Sequence, residues 1–143
     1  MTNLQAALGL AQRERLDEFV ARKRTMGHRY STLLKGASGI VLPLEETPYA
    51  ENIYWVYGIV LTDEVSTDAE AFMKKLTDRG IGTRPFFWPM HEQPVFRKMG
   101  LFEDVSCPVS ERLARRGFYI PSGLALTEDQ IDRVAAAVKE TLE

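Results

Sequence analysis

The 143 residues are enough for one domain, since a single hydrophobic core organises about 100 to 200 residues. A composition of 45% hydrophobic, 10% aromatic and 27% charged residues, with 10 Gly and 7 Pro, is that of a folded chain and excludes collagen-like, mucin-like and disordered classes. Eighteen Lys and Arg against 20 Asp and Glu leave a net charge of −2, so there is no basic field to draw in nucleic acid.

Met1 to Gln12 carries no charge ahead of an apolar stretch, which is not the form of a signal peptide. Residues 1–36 are predicted as one long helical segment, with Leu4, Ala7, Leu8 and Ala11 on one face and Asn3 suited either to cap the helix or to donate its amide to a phosphate. From Leu16 the apolar positions restart one residue late, which turns the buried face by about 100°. This implies either a kink near Leu16 and Asp17 or a helix touching two surfaces. Gly36 is expected to stop the helix, helped by Lys35 at its negative end.

The run Ile53 to Leu61, rich in β-branched and aromatic residues, predicts a strand buried on both faces. It has 9 residues and includes Gly58, about half of the roughly 20 that a membrane helix needs. Ser66 or Thr67 is expected to cap a helix over Ala69 to Arg79 that Gly80 ends, followed by a strand through Ile81 to Phe86. Phe86 to Val109, with prolines and little periodicity, reads as a long loop with one helical turn near Phe96 to Met99. Ser110 to Arg116 is predicted as a short helix and Phe118 to Ile120 as a third short strand. Thr127-Glu128-Asp129-Gln130 is a capping box opening a final helix with Ile131, Val134, Ala135, Val138 and Leu142 on its apolar side. Together these elements describe an α+β layer of about three strands with helices packed on it.

Chemistry is sparse. The single Cys107 is expected as a small buried residue without a disulfide partner, and His28 and His91 beside it are too few for a structural zinc site. With no signal peptide and no disulfide, the chain reads as cytoplasmic, without a membrane partner. The densest polar and aromatic cluster is Thr83 to Pro94, where Arg84 can hold a phosphate or carboxylate bidentately and His91 can exchange a proton near neutral pH. The same stretch equally suits a proline-braced loop whose aromatics fill a core edge. Arg112, Arg115 and Arg116 share a helical face, able to grip an anion or simply to stay solvated. A hydrolase built on His91 and Glu92 would need a nucleophile or metal that the sequence does not supply.

Several segments carry a resemblance. Met1-Thr2-Asn3-Leu4-Gln5-Ala6-Ala7-Leu8-Gly9-Leu10-Ala11-Gln12, Tyr54-Trp55-Val56-Tyr57, Gly80-Ile81-Gly82-Thr83-Arg84-Pro85, Pro89-Met90-His91-Glu92-Gln93-Pro94 and Tyr119-Ile120-Pro121-Ser122-Gly123 occur here in that order. They resemble the C-terminal part of the DegT/StrS family of pyridoxal-phosphate-dependent sugar-nucleotide aminotransferases, nearest its perosamine synthase branch. The resemblance implies that residues 1–143 are the single small domain of a fold-type-I aminotransferase, with 1–36 the long interdomain helix and the larger domain, which holds the Schiff-base lysine, lying outside this chain. It further implies transfer of an amino group from glutamate to a 4-keto-6-deoxy sugar nucleotide, a homodimer, and little activity for these residues alone. Asn3 falls on the position that reaches the cofactor phosphate across the dimer interface, Arg84 and His91 fall in the loop lining the substrate pocket, and Phe86-Phe87-Trp88 would supply its apolar wall. None of Lys23, Lys35, Lys74, Lys75, Lys98 or Lys139 suits a Schiff base. The alternative is a free-standing binding or regulatory module with the same fold. The first reading expects Leu4, Ala7, Leu8 and Ala11 to lie bare in these residues alone and to favour self-association.

Overall fold

The computed structural model describes all 143 residues. The N-terminal segment is two helices, α1 (Asn3–Glu14) and α2 (Leu16–Leu34), which meet at Arg15, where φ −108° and ψ 11° leave the helical well. The break lies one residue ahead of the expected kink. The Arg15 guanidinium spans it, bonded to Glu18 at 2.9 and 3.0 Å and set over the Phe19 ring. Asn3 is not the cap. Thr2 accepts from the Gln5 N–H and the Gln5 side chain accepts from the Thr2 N–H, a reciprocal box that the sequence also spells. Gly36, at φ +79°, follows α2 in the left-handed conformation that a side chain resists.

Next come β1 (Ile40–Val41), a two-stranded hairpin of β2 (Glu46–Thr47) and β3 (Ala50–Glu51), and β4 (Tyr57–Leu61). The expected strand over Ile53–Leu61 is thus shortened to its second half. Tyr54 is the cause: at φ +50° it cannot belong to a strand. α3 (Ala69–Asp78) is capped by Asp68, one residue beyond Ser66 and Thr67, and is followed by Gly80 at φ +74°. β5 (Arg84–Pro85) covers only two residues of the expected Ile81–Phe86 strand. The long loop holds a 3-10 turn at Met90–Glu92 and α4 (Pro94–Lys98), then α5 (Pro108–Arg116), β6 (Gly117–Ile120) and α6 (Glu128–Leu142). Cys107 is exposed just ahead of α5, not buried, because Pro108 starts that helix on the surface.

The sheet has four strands in the order β1-β4-β6-β5, all antiparallel, one more than expected because the two-residue β1 pairs with β4. Alternation along β4 and β6 sorts the two faces. Tyr57, Ile59 and Leu61, with Phe118 and Ile120, point inward and are buried; Gly58, Tyr119 and Gly117 lie on the outer face, and Arg84 is paired opposite Tyr119. Inside, Tyr30 and Leu34 of α2, Phe72 and Leu76 of α3, and Ile131, Val134 and Val138 of α6 close the core. Each such side chain contributes about 1.5–3 kcal/mol by leaving water. Arg29 on α2 clamps α6 through Asp132 and Glu128, all at 2.7 Å, and Tyr30 donates its hydroxyl to the Pro121 carbonyl at 2.9 Å. No helix is long and apolar enough to cross a membrane.

α1 stands outside this core. It buries no residue, and Leu4 and Leu8 are 73% and 62% exposed.

Candidate functional site

The outer face of the sheet carries the candidate site. Phe86 lies flat against it, its ring centroid 4.6 Å from that of Tyr119, in a slot that exists because Gly58 and Gly117 have no side chains. A Cβ on either glycine would come closer than 3.0 Å to the Phe86 ring. Beside this slot opens a cleft of about 560 Å³, a size common among small-molecule sites. Trp55 and Val56 come to it from the turn before β4, Thr83 and Arg84 from the edge strand β5, Tyr119 from β6, and Ser122 from the loop after it. Ser122 braces that corner, accepting from the Tyr57 N–H at 2.8 Å and donating to the Ile120 carbonyl at 2.7 Å.

Arg84 is exposed and takes part in none of the chain's ion pairs. Its planar fork of donors is free for an anion, and the aromatic surface around it is apolar.

The loop after β5 is held from behind. His91 is 6% exposed, with Nε2 2.9 Å from Oε1 of Glu111 on α5, and the same oxygen accepts the Cys107 N–H at 2.8 Å. Those two hydrogen bonds hold the Glu111 carboxyl below the usual range. Next to it Arg115 donates to both oxygens of Glu92 at 2.8 and 3.1 Å, lowering that carboxyl too, and sits 5.0 Å above the Trp88 ring. Ligand atoms of His91, Glu92 and Glu111 lie within 4.8 Å of one another. Their valences are nonetheless spent on one another and on Arg115, whose charge opposes a cation at the same spot. The cluster is a clamp between loop and helix.

The three residues singled out in the sequence therefore take different positions. Arg84 lines the cleft; His91 sits behind it with its Nε2 engaged by Glu111; Asn3 is exposed at the first helical position of α1, its side chain not used for capping. The expected aromatic wall divides: Phe86 covers the sheet, Phe87 stays exposed, and Trp88 lies under Arg115 beside a second cavity with Met73, Pro85 and Ala114. The three arginines of α5 do not act as one face either. Arg112 pairs with Asp63, Arg115 with Glu92, and Arg116 donates to the carbonyls of Leu61, Thr62, Val65 and Thr67. Trp55, Tyr119 and Ser122 stand in the motifs noted above, yet only the strand pairing reveals that they share a cleft with Arg84.

The cleft contains no lysine. Lys23 is the one lysine whose ammonium is destabilised by burial, and it donates to the Ser122 carbonyl.

Comparison with known proteins agrees with this architecture. The chain is 35% identical over 143 residues to the GDP-perosamine synthase of Caulobacter vibrioides and 32% identical over 142 residues to that of Vibrio cholerae, covering 99% and 97% of this chain. It spans only 38% and 37% of the length of those two relatives. Its fold superposes on the PLP form of the putative sugar aminotransferase Spr1654 from Streptococcus pneumoniae with a TM-score of 0.88 at 20% identity, over 99% of this chain and 36% of that one. Residues 1–139 match the DegT/DnrJ/EryC1/StrS aminotransferase family, and the chain belongs to it.

Proposed function

We propose that residues 1–143 form the small C-terminal domain of an aminotransferase that moves an amino group from glutamate to a 4-keto-6-deoxy sugar carried on a nucleotide, the reaction implied by the family resemblance and supported by the similarity to two GDP-perosamine synthases. The observation that carries this reading is Arg84, an unpaired guanidinium at the rim of an aromatic cleft, placed to take a phosphate of the sugar nucleotide. Pyridoxal phosphate supplies the electron sink for such a transfer, and its covalent anchor belongs to the longer protein. The residues of this chain bind and orient. Asn3, left free by the Thr2 cap, is the contact to the cofactor phosphate from a neighbouring subunit in a homodimer, and the bare face of α1 packs on the large domain and that subunit. His91 fixes the substrate loop through Glu111; for it to touch the sugar nucleotide itself, that pair must part. We assign the enzyme to the cytoplasm, in keeping with its one exposed, unbridged cysteine.

The test is an assay of the reading frame with any coding sequence that continues upstream of Met1, using pyridoxal phosphate, glutamate and a GDP-linked 4-keto-6-deoxyhexose. Formation of 2-oxoglutarate together with the amino sugar is expected. Arg84→Ala should raise KM about tenfold or more with a smaller change in kcat; an unchanged KM removes Arg84 from the site. Borohydride reduction of the 143-residue chain mixed with pyridoxal phosphate should label its lysines only at scattered, low levels. Stoichiometric labelling of one lysine would mean that this chain anchors the cofactor by itself and would overturn the division of labour.

A further inference from the structure

Trp55 lines the cleft beside Arg84. Its position is built at some expense, because Tyr54 before it is held at φ +50°, a conformation that strains a bulky side chain. Four contacts hold it there. The Tyr54 N–H donates to Asn52 Oδ1 at 2.7 Å; its ring stacks on Tyr57 at 5.8 Å with planes 13° apart, meets the edge of His28, and rests on Gly27 of α2, where a Cβ would come closer than 3.0 Å. Tyr54 is consequently 1% exposed, while the residue after it, Trp55, is turned out of the core and is 69% exposed on the cleft. The other tryptophan, Trp88, is covered by Arg115 and faces a different cavity.

An open indole and an unpaired guanidinium therefore line one cleft, the first delivered by the turn before β4 and the second by β5, with Tyr119 of β6 beside them. That pair of groups fits a molecule with a flat aromatic end and an anionic end. A free sugar has neither, and inorganic phosphate has only the second. We infer that Trp55 is the stacking platform for the base of a nucleoside diphosphate whose phosphates Arg84 holds. The inference rests on the sugar-nucleotide reading above and adds the residue that recognises the base. Stacking on an aromatic side chain tolerates different bases, so the base is selected by other groups.

The chain has two tryptophans, so Trp88→Phe leaves Trp55 as the only indole reporter. Titration of that protein with GDP, UDP and dTDP is expected to quench its emission, and inorganic pyrophosphate, the control without a base, should bind without quenching. By calorimetry Trp55→Ala should weaken the nucleoside diphosphates about tenfold and leave pyrophosphate unchanged, while Trp55→Phe should restore most of the loss. Arg84→Ala should weaken both kinds of ligand. Nucleoside diphosphate affinity that is unchanged in Trp55→Ala, or an equal loss for pyrophosphate, overturns the role of Trp55 alone. Absence of any nucleotide binding overturns the inference as a whole, while the transamination assay decides separately on the proposed function.

Discussion

Two helices of this chain open with the same local device and meet opposite fates. α1 begins with Thr2 and Gln5 in a capping box, α6 with Thr127 and Gln130, and the hydrogen bonds agree within 0.1 Å. Yet α6 buries Ile131, Val134, Ala135, Ala137, Val138 and Thr141, whereas α1 buries nothing and leaves Leu4 and Leu8 in the open. A cap fixes where a helix starts; it does not decide whether the helix has anything to pack on. The 3.6-residue apolar stripe of α1 calls for a surface, and within these 143 residues α2, α3 and α6 find theirs in the core whereas α1 does not.

The sharpest way to break this contrast is a matched pair of truncations. Ile131→Ala should lower the unfolding free energy by about 2–5 kcal/mol in chemical denaturation, and Leu8→Ala should change it by less than about 0.5 kcal/mol. An equal cost would mean that α1 is docked after all. Next in size is Gly27→Ala, expected to cost about 1–3 kcal/mol because the added methyl must displace the Tyr54 ring, with a matching change in near-ultraviolet circular dichroism. Smaller again are the caps: Thr127→Ala should cost about 1 kcal/mol, while Thr2→Ala should reduce far-ultraviolet helicity without moving the denaturation midpoint.

The smallest effect depends on acid. Asp132 is held below the usual carboxylate range by its hydrogen bonds from Arg29, so its folded pKa lies beneath its unfolded one. The stability it adds is present above the unfolded value, near 4, and is lost as pH falls through the folded value. In Asp132→Asn the decline in denaturation midpoint between pH 6 and pH 3 should be shallower than in the parent chain, and identical slopes would show that Arg29 does not couple α6 to α2 electrostatically.

Much of this architecture is legible in the sequence where local chemistry decides it. The capping box at Thr127, the stops at Gly36 and Gly80 and the inward half of the Ile53–Leu61 run all follow from residue type and spacing. Part of what escapes is set at a distance and part by a neighbour a few residues away. The apolar run stops being a strand at Tyr54 because Asn52 accepts its N–H and because Gly27, on another element, leaves room for its ring. Asn3 and Thr2 both have capping side chains, and only the Gln5 partner settles the choice in favour of Thr2. Cys107, apolar by composition, lies on the surface because Pro108 opens a helix there. The site divides the same way. Arg84 stands in a motif that can be read, whereas its sharing of a cleft with Trp55 depends on the pairing of β4, β6 and β5, which no local pattern encodes.

Phe86 gives the edge strand a property that its length alone would deny. β5 is two residues long and sits at the rim of the sheet, the place where strands fray most readily. Two residues after Arg84, the Phe86 ring is wedged into the slot over Gly58 and Gly117, and its N–H reaches the Gly117 carbonyl at 3.3 Å. The ring works as a rivet: it lets a short, exposed segment carry a charged side chain at a fixed angle, so that the aim of Arg84 is determined by the smallness of two glycines on strands it does not belong to.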